Sequence, residues 1–309
     1  MRQTKGETMS AFLFVHFTGE GTEDGEQIYF SVSRDGMKWK DLNGGNLILR
    51  SEIGTKGVRD PFILRSRIDG KFYIIATDLR IKSGGGWDAA RSRASRKMII
   101  WSSGDLINWG EPRAYEFPRE DFGCVWAPES VYDEKRGAYL VFWSSFTKEA
   151  YETEPKFKIY ASYTKDFREF TQPEVYIERD QHVIDTTIAE DNGVFYRFSK
   201  DEVTKGIVVD RGDDLQGKFT EVTGKEFSGI KGVEGPATFY IPERKTWCLL
   251  LDRFATHKGY MPLLCSDLST CDFKEVPEEE YDMGQNLKRH GSVLAITEEE
   301  YDRLSARYC

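Results

Sequence analysis

Alternation of apolar and polar positions reads as β-strand along almost the whole chain. Short runs rich in aromatic and β-branched residues, FLFVHF, KFYIIATD, AYLVFWSS, VFYRFS and TWCLLL, are bounded by polar turns that carry glycine. Asp69-Gly70 and Asn192-Gly193 are dipeptides that favour tight hairpins. Helix is expected only in the tail TEEEYDRLSARY, where Thr297 and, three residues on, Glu300 make a capping-box pattern.

The strands repeat. One begins near each of Phe12, Phe72, Tyr139, Phe195 and Trp247, and each is followed by a second strand and a turn of the form Asp-hydrophobe-aromatic. These turns end near Trp39, Trp109, Phe170, Phe219 and Phe273, as in SVSRDGMKW, WSSGDLINW, SYTKDFREF and CSDLSTCDF. Five copies of a multi-stranded unit, each about 50–70 residues long, predict a five-bladed all-β propeller. An irregular β-sandwich with similar turns is the weaker alternative. The first copy lacks an innermost strand, and RHGSVLAIT (289–297) is the segment expected to supply it, so that strands from both termini close the ring and leave no open edge. Residues 1–9 read as a disordered or tag-like lead-in and 10–309 as one propeller domain. The stretch IKSGGGWDAARSRASRK (81–97) reads as a long loop covering a face of the ring and bordering any site there.

Composition narrows the function. Apolar residues make up 39% and charged residues 31%, which suits a packed core. The aromatic share of 14% fits both half-buried strands and sugar-stacking surfaces. A net charge of -9 argues against a nucleic-acid partner, which needs a basic face. The five cysteines make no CxxC pair and are odd in number, as expected of reduced thiols; a Cys265–Cys271 bridge is the alternative left open. MRQTKGETMS lacks the apolar stretch of a secretory signal, and no apolar run approaches membrane-spanning length, so the expected location is the cytoplasm.

In a propeller the innermost strands line one central channel. The segments preceding the repeated strands are GVRDPFI, VWAPESV, HVIDTTI, GVEGPATF and RHGSVLAI. Four of them carry an acid, and Asp60, Asp185 and Glu234 fall at what read as matching positions near the strand start. Carboxylates converging from separate blades are what glycosidic hydrolysis needs. Asp before Pro also forms turns, Asp185 beside two threonines also bonds backbone N–H groups, and a Glu in a turn is usually solvated.

At this point the chain resembles family 43 of the glycoside hydrolases, inverting five-bladed propellers acting mostly on arabinose- and xylose-containing glycans. The resemblance rests on Arg59-Asp60-Pro61, Trp126-Ala127-Pro128-Glu129, Ile184-Asp185-Thr186-Thr187, Glu234-Gly235-Pro236 and Arg289-His290-Gly291-Ser292-Val293, in the family's order over nearly the whole chain. Thr186 stands where many members carry Pro. No carbohydrate-binding module follows, so soluble oligosaccharides are the expected substrates. The resemblance implies that Asp60 is the general base, Glu234 the general acid, and Asp185 the group that orients the acid and holds its pKa up. An inverting pair leaves room for a water, about 6.5–9.5 Å between carboxyls.

The same resemblance implies a supporting set. Trp126 stacks on a sugar ring or plugs the core between blades. Arg253 binds substrate hydroxyls or pairs with Asp252. Glu20 and Glu129 reach the funnel, and Arg59 pairs with a carboxylate. His290 stands near a central ion or water cluster, so a structural calcium is the one ion considered; no cofactor is required. His16, His182 and His257 form no pair at metal-ligand spacing. The expected activity is exo-acting removal of a terminal pentose, with α-L-arabinofuranosidase first, β-xylosidase or exo-β-galactosidase next, and a catalytically silent carbohydrate-binding propeller as the alternative of another class.

Overall fold

The computed structural model describes residues 9–309. The expected lead-in therefore lies outside the described residues up to position 8, and Met9 already belongs to a strand.

Five four-stranded antiparallel sheets are present among the described residues. The first blade takes its inner strand, Arg289–Thr297, from the far end of the chain and continues outward through Met9–Phe17, Tyr29–Ser33 and Lys40–Asp41. The second runs Val58–Arg65, Phe72–Asp78, Lys97–Ser103 and Arg113–Glu116. The third runs Trp126–Asp133, Ala138–Thr147, Lys156–Thr164 and Glu174–Ile177. The fourth runs Val183–Asp191, Val194–Asp201, Gly206–Gly212 and Thr220–Glu221. The fifth runs Glu234–Ile241, Thr246–Asp252, Tyr260–Cys265 and Lys274–Glu275. Each inner strand touches the inner strands of its two neighbours, so the five form a closed ring. The ring is sealed by antiparallel pairing of Met9–Phe17 with Arg289–Thr297, as the repeat predicts.

The near-continuous apolar runs have a direct cause. Successive side chains of a strand point to opposite faces, and here each face packs on a different blade. Leu13 and Val15 enter a cluster with Ile74 and Ala76 of the second blade, while Phe12 and Phe14 enter one with Phe239 and Leu250 of the fifth. Tyr139, Val141 and Trp143 face the second blade, and Leu140 and Phe142 face the fourth. The core is thus a set of wedges between blades.

The turn motif is equally specific. Asp35, Asp105, Asp166, Asp214 and Asp267 each accept the backbone N–H two residues on, from Met37, Ile107, Arg168, Gln216 and Ser269. Aspartate is favoured because its side chain substitutes for a backbone acceptor in the turn.

One expectation changes and one open alternative is closed. The segment 81–97 is not a plain loop: it holds a 3-10 turn, Ile81–Ser83, and a short helix, Gly86–Ser92, both packed near the channel mouth. The Cys265–Cys271 bridge does not form; both thiols are free and lean on backbone carbonyls of their own turn, Asp267 and Leu268. The tail helix Glu298–Tyr308 is capped as expected: Glu300 N donates to Thr297 Oγ1, and Thr297 N donates to Glu300 Oε2. Arg65 of the second blade forks onto Glu300 with two bonds of 2.7 Å, which fastens the helix across the ring seam. Among the described residues no helix is long and apolar enough to cross a membrane.

Candidate active site

All five inner strands break register at the same level. Pairing skips from Arg59 to Phe62, Trp126 to Glu129, Ile184 to Thr186, Glu234 to Ala237, and Arg289 to Ser292. At four of these bulges the first displaced residue has positive φ: Asp60 at 52°, Ala127 at 47°, Asp185 at 48° and Gly235 at 52°. Bulges re-aim side chains beside active sites, and Asp tolerates the left-handed region better than most residues. Gly235 is obligatory, because a Cβ there would meet His290 Cγ at 2.6 Å.

The bulges correct the expected alignment of the acids. Asp60 and Asp185 are structurally equivalent, but their counterpart in the fifth blade is Gly235. Glu234 stands one residue earlier, at the level of Arg59, Trp126 and Ile184, and still pairs in the ladder, with Asp252. It joins the same cavity from the wall.

The cavity is knit together between blades. A bulge frees a backbone N–H, and the preceding blade supplies its acceptor: Thr77 Oγ1 for Ala127 N at 2.8 Å, Ser144 Oγ for Asp185 N at 3.1 Å, and Asp185 Oδ2 for Gly235 N at 3.3 Å. Thr77 in turn donates to Asp60 Oδ2 at 2.8 Å. His290 Nδ1 faces Asp60 Oδ1 at 3.6 Å and Asp185 Oδ2 at 3.8 Å. Tyr260 OH donates to Gly235 O at 2.7 Å and accepts from Gly291 N at 3.0 Å, pinning the fifth blade to the closing strand.

Charge is distributed differently from expectation. Glu234 lies between two cations: Lys200 Nζ is 2.8 Å from Oε2 and Arg289 Nη2 is 2.9 Å from Oε1. Burial disfavours its charge, but Lys200 and then Arg289 outweigh burial and hold the carboxyl below the usual glutamate range. Asp185 behaves in the opposite way. Burial pushes it up to about 6, with His290 and Lys200 opposing and Glu234 and Asp60 adding to the rise. The two acids therefore have the reverse of the order implied by the resemblance, because the cations sit on the glutamate. Asp252 is also raised to about 6 by burial, although Arg289 Nε bonds it at 2.7 Å.

Folding stability follows from the signs. Asp185 has a folded pKa above its unfolded value, so its stabilising contribution is full below about pH 4 and is lost as pH rises through about 6. Asp185→Asn should then melt higher than the parent at pH 8, by up to about 2–3 kcal/mol, and match it near pH 4. Thermal melts at the two pH values check this; a lower melting temperature at pH 8 would show that the carboxylate's contacts outweigh its desolvation.

The supporting residues divide. Arg59 pairs with carboxylates, Glu20 and Glu26, each at 3.0 Å. Glu20 is half-exposed at the mouth, where Arg59 and, more weakly, Arg289 lower its pKa against burial. Trp126 is half-buried, edge-on to Trp87 at 6.2 Å and tilted against Phe157 at 5.3 Å. Glu129 is buried beside Thr187, and burial raises its carboxyl well above the normal range. Arg253 does not take Asp252 as its partner. It bonds the carbonyls of its own loop and Glu278 at 3.0 Å, and Asp252 belongs to Arg289 instead. Among the described residues no cluster of three or more His, Cys, Asp or Glu side chains is arranged to hold a metal.

Four contributors escaped the sequence reading: Lys200, Arg289 as an ion-pair partner, Asp252 and Trp87. A signal existed for three of the blades. The second strands end in polar residues at the channel level, Thr77-Asp78, Ser144-Ser145 and Ser199-Lys200, buried positions that an apolar run has no reason to reserve unless they face polar work.

A five-fold ring of sheets whose bulged inner strands gather three acids at one mouth defines a five-bladed propeller with a carboxyl cluster on its axis. The chain belongs to the glycosyl hydrolase family 43-related family, described as "Probable glycosyl hydrolase domain", which it matches over residues 7–302. It is 33% identical over 184 residues to an α-L-arabinofuranosidase of Bifidobacterium longum subsp. longum; the match takes in 54% of this chain and 17% of that relative. Among solved structures it resembles a Bifidobacterium bifidum s17 protein described as an exo-β-1,3-galactanase, with TM-score 0.61, 11% identity and 92% of each chain covered. A family 43 protein from Bacillus licheniformis superposes with TM-score 0.56 at 16% identity over 94% of this chain and 56% of that one. These structural likenesses establish the fold.

Proposed function

We propose that this glycoside hydrolase is exo-acting and inverting, and that it removes a terminal α-L-arabinofuranosyl group from plant-derived oligosaccharides. The observation that carries the reading is the convergence of Asp60, Asp185 and Glu234 from three blades, with Asp60 and Asp185 both facing His290. The sugar is taken from the similarity to the bifidobacterial arabinofuranosidase.

Asp60 acts as the base. Thr77 occupies its Oδ2, which leaves Oδ1 to take a proton from the attacking water. Glu234 gives a proton to the departing glycosidic oxygen, and at least one of its two cations must loosen when it is protonated. Asp185, fixed by Ser144 and by Gly235 N–H, orients the wall that carries Glu234. A panel of nitrophenyl glycosides tests this: the α-L-arabinofuranoside should be cleaved fastest. Faster cleavage of the β-xyloside or β-galactoside would reassign the sugar, and no cleavage of any would leave a carbohydrate-binding propeller.

The helix Gly86–Ser92 sets the exposed Trp87 across Arg59, 5.2 Å from the guanidinium, and edge-on to Trp126, so it screens one side of the mouth. Trp87→Ala should raise KM for an oligosaccharide about five- to tenfold, the size of one aromatic contact, with little change for a nitrophenyl glycoside. Equal effects on both would place Trp87 outside the leaving-group side.

A further inference from the structure

The two cations on Glu234 share an unusual arrangement: each also holds a second acid. Lys200, on the strand Val194–Asp201, has a side chain only 3% exposed. Its ammonium lies 2.8 Å from Glu234 Oε2 and 2.8 Å from Glu202 Oε2, with the ring of Phe254 at 4.3 Å on a further side. Arg289 spans Glu234 and Asp252 in the same way. The remaining charged or titratable groups near Glu234 are Asp185 and His290, and Lys205 pairs with Glu202 from the far side.

We propose that Lys200 is a positioning residue that passes its ammonium between Glu234 and Glu202 as Glu234 loses and regains its proton. The inference rests on reading Glu234 as the general acid. When Glu234 is protonated, Lys200 turns to Glu202, which is already within contact distance, so no buried charge is stranded. As the proton moves to the glycosidic oxygen and the C–O bond breaks, the new carboxylate on Glu234 draws Lys200 back. Lys200 keeps all its protons throughout; after product leaves, Asp60 releases to solvent the proton it took from the attacking water and Glu234 takes one up, so the pair is reset with no net proton change. The arrangement makes Glu234 a stronger acid while confining its protonated form to lower pH. The resting structure, with Glu234 held below the ordinary range, is the end state of this cycle.

Two substitutions should move the basic limb of the kcat/KM–pH profile in opposite directions. On the nitrophenyl glycoside that the enzyme prefers, Lys200→Met should shift that limb up by about one unit or more, since one unit corresponds to tenfold. Glu202→Gln removes the competing anion and should shift it down. Lys200→Arg should return the limb toward the parent. A limb unmoved in both variants, or moved the same way by both, overturns the proposal. If Lys200→Met fails to fold, the direction of the Glu202→Gln shift decides alone. The underlying reading is checked separately with Glu234→Gln. If the parent's basic limb persists in that variant, Glu234 is not the acid. If the limb vanishes there yet stays fixed in the Lys200 and Glu202 variants, only the role of Lys200 is lost.

Discussion

Asp60→Asn should lower kcat by about a hundred- to ten-thousandfold, the usual contribution of a positioned base, and should do so equally for good and poor leaving groups. The reason is that the base acts on the attacking water and not on the departing oxygen, so a better leaving group does not replace it. The fold should survive. Asparagine tolerates the positive φ of 52° at this bulge, and its carbonyl oxygen still accepts the 2.8 Å bond from Thr77. Steady-state kinetics on an aryl and an alkyl glycoside, with a melting curve as control, checks both halves. Retained activity would mean that another group activates the water, with Glu20 at the mouth the nearest alternative.

Glu234→Gln should behave differently in two respects. Its loss should depend on the leaving group: large, on the order of a thousandfold, with an oligosaccharide, and much smaller with a dinitrophenyl glycoside that departs without a proton. It should also destabilise the fold. An amide cannot neutralise Lys200 and Arg289, and removing one partner of a buried ion pair costs about 3–5 kcal/mol; Glu202 and Asp252 absorb part of that because each already touches one of the cations. The ratio of activities on the two substrates, parent against variant, is the readout. Identical ratios would remove Glu234 from the proton-donor role.

Much of the architecture was visible in the strand pattern because a propeller repeats one local solution. The apolar runs, the Asp-capped turns and the closing segment 289–297 each follow from short-range rules, and each recurs in the fold. The site was legible only in part. Motif order brought Asp60, Asp185 and Glu234 to one mouth, but a bulge is a backbone event without a fixed residue type. Spacing along the chain therefore does not reveal the one-residue offset of Glu234. The charge order was missed for a related reason. Lys200 comes from a neighbouring blade and Arg289 from the far end of the chain, and a pKa depends on what lies across the cavity, not on what flanks the acid in sequence. Arg253 shows the converse: likeness to a channel arginine of the family suggested substrate binding and its neighbour Asp252 suggested an ion pair, whereas its bonds go to Glu278 and to carbonyls of its own loop. Trp87 lay in a glycine-rich stretch whose helix is only seven residues long, too short for periodicity to reveal.

Burying three acids, a histidine and two cations at one mouth is an arrangement that a rigid frame is suited to hold. The bulges fix the backbone, hydroxyls from preceding blades satisfy the freed N–H groups, and the paired cations keep Glu234 solvated by protein in place of water. Stability lost on ionising Asp185 and Asp252 is the cost of that arrangement.

The most direct test is the configuration of the sugar at the moment of release. Proton NMR of the first turnover of an α-L-arabinofuranoside should show the β-anomer appearing first, with the α-anomer growing in later by mutarotation. Initial accumulation of the α-anomer would mean a covalent intermediate and a carboxylate acting as nucleophile, and would contradict the assignment of Asp60 and Glu234 as an inverting base and acid.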